Sequence, residues 1–284
     1  MSSKKPQNIG VVITTYNSPE WLKKVLVGYE CQRDLDFTVL IADDGSTSET
    51  QEVVESFKCR GVLKIEHYWH EDQGFRKTII LNKVIAKTHC DYLLFTDGDC
   101  VPRRDFIQVH RQYAEPEFFL SGGYIKLTTP VSEAITPEAI KNQDIFESSK
   151  LIALGQPKSH KLMKLVTNSL LVRFLNALTP TKASWNGMNS SGWTQDIKAV
   201  NGFDERMQYG GLDRELGERL INHGIKSKQI RYSAVCLHLD HPRGYSKPEI
   251  WKKNAAIRKA VADHHLSWTD FGIEKSNKNE HLND

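Results

Sequence analysis

Along the first hundred residues the apolar positions change period repeatedly, and each change marks an element. Ile9 to Thr14 is a continuous, largely apolar run of strand length, which predicts a buried strand. Ser18 and Pro19 then stand as N-cap and first helical residue, with Trp21, Leu22, Val25 and Leu26 recurring on one helical face. Phe37 to Ala42 predicts a second strand ending on Asp43 and Asp44, and helical spacing resumes from Ser48 to Phe57 after Gly45. Val62 to His67 predicts a third strand, Lys77 to Lys87 a helix, and Tyr92 to Phe95 a short strand running into Asp97-Gly98-Asp99. Such alternation predicts an α/β fold with a mainly parallel sheet flanked by helices. Open sheets of this kind bind ligands at the carboxyl ends of their strands, and three successive strands here end in polar residues.

Those polar ends define the candidate chemistry. In an extended chain Asp97 and Asp99 point to one side, so they can hold a divalent ion that keeps positions open for phosphate; read alone, the triplet fits a turn as well. Asp43 and Asp44 can accept hydrogen bonds from ribose hydroxyls or a pyrimidine base, or simply decorate a helix N-terminus. Thr14 and Tyr16 can wall the same crevice or act in packing. Arg76, with Lys77 beside it, offers cations for a diphosphate, and arginine adds a planar fork. No GxGxxG follows the first strand and no GxxxxGK[ST] occurs, so dinucleotide and P-loop phosphate cradles are lacking.

Composition narrows the class. The 284 residues are 39% hydrophobic and 26% charged, ordinary for a globular protein, and a formal charge of +3 does not call for nucleic acid. Five scattered cysteines without CxxC spacing predict free thiols, and no apolar run reaches leader or membrane-spanning length; both point to the cytoplasm. From Ser148 to Gln195 there is no acidic residue, while Lys150, Lys158, Lys161, Lys164, Arg173 and Lys182 are interleaved with apolar residues. That segment is expected either to rest on an anionic membrane surface or to pack as a core helix with solvated lysines.

Val12-Ile13-Thr14-Thr15-Tyr16-Asn17, Ala42-Asp43-Asp44-Gly45-Ser46 and Thr96-Asp97-Gly98-Asp99 resemble, in order and spacing, the successive motifs of family 2 glycosyltransferases over residues 9 to about 110. The resemblance implies a GT-A fold, a nucleoside diphosphate sugar donor, base contacts near Thr14 and Asp44, a diphosphate contact from Arg76, and Mn²⁺ or Mg²⁺ on Asp99 with help from Asp97. UDP as the nucleotide, carrying a hexose or N-acetylhexosamine, is likewise implied only by resemblance. A second block contains Trp185, Gly187 and Asn189, then Val200 to Glu205, then Gly211-Leu212-Asp213. It resembles the acceptor side of β-galactosyltransferases and bacterial chondroitin-type polymerases, although Leu212 replaces the usual glutamate. The resemblance also implies a histidine metal ligand, His238 in preference to His241.

An inverting transfer requires a carboxylate to take the acceptor proton, and Asp213 at the start of an apolar-patterned helix is the expected base. Glu215 and Glu218 on that helix are expected to be solvated. The organisation expected is a donor half over 1–127, a basic connection over 128–184 and an acceptor region over 185–284, all in one domain. The acceptor expected is a glycan or lipid-linked saccharide of cell-surface polysaccharide or lipopolysaccharide synthesis. Alternatives are a sugar nucleotidyltransferase, for which residues 9 to 19 lack the basic glycine-rich loop, and a noncatalytic sugar-nucleotide-binding protein.

Overall fold

The computed structural model describes residues 5–241 and 247–275. Strand and helix alternate through β1 (Ile9–Thr15), α1 (Pro19–Glu30), β2 (Phe37–Asp43), α2 (Ser48–Arg60), β3 (Lys64–Trp69), α3 (Lys77–Lys87) and β4 (Tyr92–Asp97). Then come β5 (Cys100–Pro102), α4 (Phe106–Tyr113), β6 (Phe118–Ser121) and β7 (Gly123–Lys126). The middle of the chain is helical, with α5 (Thr129–Ala134), α6 (Pro137–Lys141), α7 (Ser148–Ala153) and α8 (Ser169–Leu178). β8 (Ser190–Trp193), α9 (Thr194–Ala199), α10 (Leu212–Asn222), β9 (Lys226–Gln229), β10 (Val235–His238) and α11 (Pro248–Asp263) complete it.

Among the described residues seven strands form one sheet in the order β3-β2-β1-β4-β8-β6-β9, and β5-β10-β7 form a smaller one. β3, β2, β1 and β4 are mutually parallel, whereas β8 runs antiparallel to both β4 and β6. Strands from either side of the helical middle therefore pair directly, β4 with β8 and β5 with β10.

Strand periodicity explains why both faces are covered. Ile9, Val11 and Ile13 of β1 pack on one side with Leu22, Leu26 and Phe57, whereas Val12 packs on the other with Ile80, Val84 and Leu216. Neighbouring strands repeat the division, Val39 and Ile41 against Leu40 on β2, Tyr92 and Leu94 against Leu93 on β4. Each face needs a layer of helices, the condition under which parallel strands read as unbroken apolar runs.

Three details differ from expectation. β3 begins two residues late, because Gly61 closes α2 in the left-handed region (φ 68°) and Val62 is exposed in the return of the chain. β4 continues beyond Phe95 to Asp97, since Thr96 and Asp97 still pair with Ile13 and Thr14 of β1. Glu215 is not solvated: it is fully buried against Arg219, whose guanidinium also donates to the carbonyls of Val200 and Gly202.

Candidate active site

The parallel register sets Thr14 of β1 beside Asp97 of β4, so the ends of the two strands share one hydrogen-bonded corner. The Thr14 hydroxyl donates to Asp97 Oδ1 at 2.7 Å, and the Lys77 ammonium donates to the same oxygen at 2.6 Å. Gly98 turns the chain here, donating its N–H to the Thr14 carbonyl at 2.7 Å; a Cβ on it would come 2.9 Å from that oxygen. Close backbone approach is thus why glycine separates the two aspartates.

Asp99 lies past the turn, against the end of β10. Leu239 donates its N–H to the Asp99 carbonyl at 2.8 Å, which brings His238 and His241 to the carboxylate. Nε2 of His241 is 2.9 Å and Nε2 of His238 is 3.6 Å from Asp99 Oδ2, and the two imidazoles stack with centroids 5.8 Å apart. Burial by itself would raise the Asp99 carboxyl, but the His241 hydrogen bond and the neighbouring imidazole charges outweigh it and hold it below its ordinary range. Ligand atoms of Asp99, Cys100 and His238 fall within 4.8 Å of one another. A carboxylate with imidazole in reach fits Mn²⁺ well and Mg²⁺ through its oxygen alone. His241 is close enough to be a further ligand.

Asp213 reaches the same place from α10. Gly210 and Gly211 both hold positive φ (107° and 84°), turning the chain sharply into the helix so that Asp213 falls in its first turn. Gly187 allows the approach: a Cβ there would sit 2.7 Å from Asp213 Oδ1, and its backbone N–H instead donates to the carboxylate. Burial pushes the Asp213 carboxyl up to about 6, with the Lys77 ammonium opposing the rise and Asp97 adding to it. Lys77 is held charged: burial would lower its pKa, but Asp97, Asp213 and Asp99 raise it well above its usual range. Asp99 and Asp213, 114 positions apart in the sequence, line one cavity of about 720 Å³.

Thr14, Tyr16, Asp44, Asp97, Gly211 and His238 also line that cavity. Asp44 accepts from His70 at 2.7 Å and from the Arg76 N–H at 2.9 Å; burial raises its carboxyl despite both. Exposed Tyr16 donates its hydroxyl to Asp72.

Other expected contacts lie elsewhere. Asp43 is turned into the fold, its carboxylate taken up by the Ser46 N–H and His67. Arg76 is fixed by Gln73 and the Glu71 carbonyl and does not line the cavity; Lys77, one residue on, is the cation that does. Trp185 is fully buried between Phe95 and Phe119, making it a floor beneath the sheet end instead of a substrate contact. Asn189 is equally buried, accepting from His110 and donating to the carbonyls of Gly123 and Ala234. All four corrections have one cause, since sequence motifs mark positions near a site without saying which side of the backbone faces it.

The model of glycosyl transferase family 2 matches residues 10–125. Those residues form a family 2 glycosyl transferase domain. Over 241 residues the chain is 28% identical to validoxylamine A glucosyltransferase of Streptomyces hygroscopicus subsp. limoneus, covering 79% of this chain and 50% of that protein. It is 23% identical to chondroitin synthase of Escherichia coli over 82% of this chain and 35% of the synthase. The chain thus spans about half or less of the length of these relatives. Among solved structures, the mannosyltransferase PcManGT from Pyrobaculum calidifontis, in complex with GDP-Man and Mn²⁺, superposes with a TM-score of 0.55 at 17% identity, over 85% of this chain and 59% of that one. S. aureus TarS 1–349 in complex with UDP-GlcNAc gives 0.57 at 14% identity, over 90% and 66%. The fold of the family 2 domain and its surrounding chain is GT-A.

Sequence reasoning passed over the aromatic wall of the cavity. Trp21, Phe75, Tyr209 and Trp251 line it, with Tyr209 edge-on to both Phe75 and Trp251 at 6.3 and 5.8 Å between centroids. No motif announces them; the one available signal was Tyr209 directly before the Gly-Gly turn into α10.

Proposed function

We propose that the chain transfers a hexose or N-acetylhexosamine from a UDP sugar to a saccharide hydroxyl, with inversion at the anomeric carbon. One observation carries this reading: a carboxylate pushed up to about 6 shares a cavity with a carboxylate and imidazole cluster suited to a divalent ion. The nucleotide end of the donor lies along Thr14, Tyr16 and Asp44, with Lys77 turned to the diphosphate. Asp213 takes the proton of the acceptor hydroxyl as its oxygen attacks the anomeric carbon, and the bond to the diphosphate breaks on the opposite face. Mn²⁺ or Mg²⁺ held by Asp99 and His238, with Asp97 and His241 beside them, would neutralise charge on the departing diphosphate. The aromatic wall of Tyr209 and Trp251 offers the apolar faces on which a sugar ring rests. Gly187 and Gly211 act through the backbone, keeping the approach to Asp213 narrow.

The neighbours in complex with UDP-GlcNAc and with GDP-Man support a nucleotide sugar as donor, and chondroitin synthase among the relatives supports a glycan acceptor of the cell surface. The test is nucleotide release from a panel of nucleotide sugars, with and without Mn²⁺. UDP release that needs the ion and is lost in Asp99→Ala and Asp213→Asn, the latter by about 10²–10⁴-fold, is expected. Pyrophosphate release would replace this reading with nucleotidyl transfer, and binding without turnover would leave a sugar-nucleotide-binding protein.

A further inference from the structure

The acid-free segment does not behave as one basic surface. Lys150 is paired with Asp144 and Glu147, and Lys164 is turned inward onto the Tyr124 carbonyl, burial lowering its pKa to about 8. Lys158, Lys161, Arg173 and Lys182 remain exposed. Between them stands α8, attached to the body by buried Val172 and by Asn176, which bonds Ser233 and the Tyr232 N–H. Its other side is apolar and open: Leu170 is 75% exposed, Phe174 58%, Leu178 62% and Leu171 42%. At 100° per residue these four fall within one stripe, opposite Val172.

A second cavity, of about 640 Å³, opens beside this stripe, and Leu170 and Arg173 lie on its rim. Arg33, Arg103, Arg104 and Arg173 line it, against Asp105 and Glu147. Arg103 is 8% exposed; its Nε and Nη2 are bound by Asp105 and the Ser233 carbonyl, but Nη1 is buried without a partner, as is Nε of Arg104. Buried guanidinium donors are rarely left unmet, and both arginines line this cavity, which makes it a place for an anionic oxygen ligand. Among the described residues Arg33 and Arg173 take part in no ion pair that would compete for it.

We propose that α8 and the arginine cavity form a docking site for an anionic phospholipid bilayer, the apolar stripe entering the interface and the cavity receiving a headgroup phosphate. Neither feature alone holds a protein to a membrane, because one short apolar face or a few cations give weak, reversible attachment; together they supply the two signals that stable binding needs. The charge pattern selects the occupant, since an apolar face with exposed cations before, on and after its helix complements an acidic lipid surface better than a neutral one. The docking site is independent of the reaction at the candidate active site. Under that reading it stands close to where a lipid-linked acceptor would react: Asp99 precedes and Arg103 follows β5, about 13 Å apart along the strand.

Co-sedimentation of the whole chain with vesicles tests the docking site. Binding to vesicles of mixed phosphatidylglycerol and phosphatidylcholine should exceed binding to phosphatidylcholine alone by about tenfold or more, and should fall as salt rises. Leu170→Glu/Phe174→Glu, confined to exposed positions, should lower binding to the mixed vesicles at least about tenfold. Arg33→Gln and Arg173→Gln should each lower it roughly fivefold. Melting temperature and vesicle-free donor hydrolysis should be unchanged in all of them, showing that the fold is intact. Equal binding to neutral and anionic vesicles, or full retention by the double variant, overturns the proposal. So does binding of inorganic phosphate without vesicle binding, which would make the cavity a soluble-anion site. Self-association abolished by the double variant, again without vesicle binding, would assign the stripe to a second copy of the chain.

Discussion

Lys77 is the residue on which the electrostatics of the cavity turn. It donates to Asp97 and lowers the pKa of Asp213, while the carboxylates around it keep its own charge in place. Removing the charge in Lys77→Met takes away the contribution that opposes burial, so the Asp213 carboxyl rises above about 6. A base must be deprotonated to act, and the acid limb of kcat/KM should therefore move to higher pH. Initial rates across a pH series read this directly; a limb that stays where it was would mean that another group sets it. Arg76 shows how close residue-level reading comes and where it stops. The pair Arg76-Lys77 was visible as diphosphate chemistry, but which of two adjacent cations faces the cavity depends on the start of α3, a turn that only the folded chain defines.

At the scale of the element, α10 does two things at once. Its first turn presents Asp213, and its buried side carries Glu215 and Arg219, whose guanidinium holds the carbonyls of Val200 and Gly202. The loop before α10 and the helix itself are thereby locked together. Truncating one member leaves the other charge buried and unpaired, so Arg219→Met is expected to cost about 3–5 kcal/mol of stability. Glu215→Leu/Arg219→Met should recover much of that loss, because an apolar pair of similar volume replaces the charges. Urea unfolding of the two variants decides; a loss under about 1 kcal/mol in Arg219→Met would show that the pair is not structurally important. The leucine spacing of α10 was legible, but Glu215 read as solvated, since periodicity identifies one buried face and says nothing of a second.

For the whole molecule, two titratable groups tie stability to pH in opposite directions. His110 is fully buried and neutral, its Nε2–H donating to Asn189 and its Nδ1 facing the Ser191 hydroxyl; burial lowers its pKa to about 4. Its pKa is depressed on folding, so its contribution is present above about 6.5 and lost as pH falls towards 4, a term on the order of 3 kcal/mol. Asp213 has a raised pKa, so its contribution is present below about 4 and lost as pH rises through about 6, and it is smaller because the carboxylate is partly open to solvent. The two offset each other between pH 4 and 6. Asp213→Asn should uncover a stability that climbs with pH across that window, and should be at least as stable as the parent at pH 7 while turnover is lost. His110→Gln should lose the climb. Parallel unfolding curves for parent and Asp213→Asn at every pH would contradict the assignment of a buried, elevated carboxyl.

Local physics written in the chain was enough for the alternating strands and helices, the mainly parallel α/β class and the polar strand ends at Thr14, Asp44 and Asp97, because strand period, helix spacing and turn residues act between near neighbours; the GT-A class came from the resemblance of the motifs. The meeting of Asp99 with His238 and His241, and of Asp213 with Lys77 and Gly187, was decided only by tertiary structure. Sheet pairing between β4 and β8 and between β5 and β10 folds the second half of the chain back onto the first, and no short-range pattern encodes that return. The same packing sent Asp43, Trp185, Asn189 and Glu215 inward and left the leucines of α8 outside. Burial is a property of what covers a residue, and the covering residues lie far away along the chain.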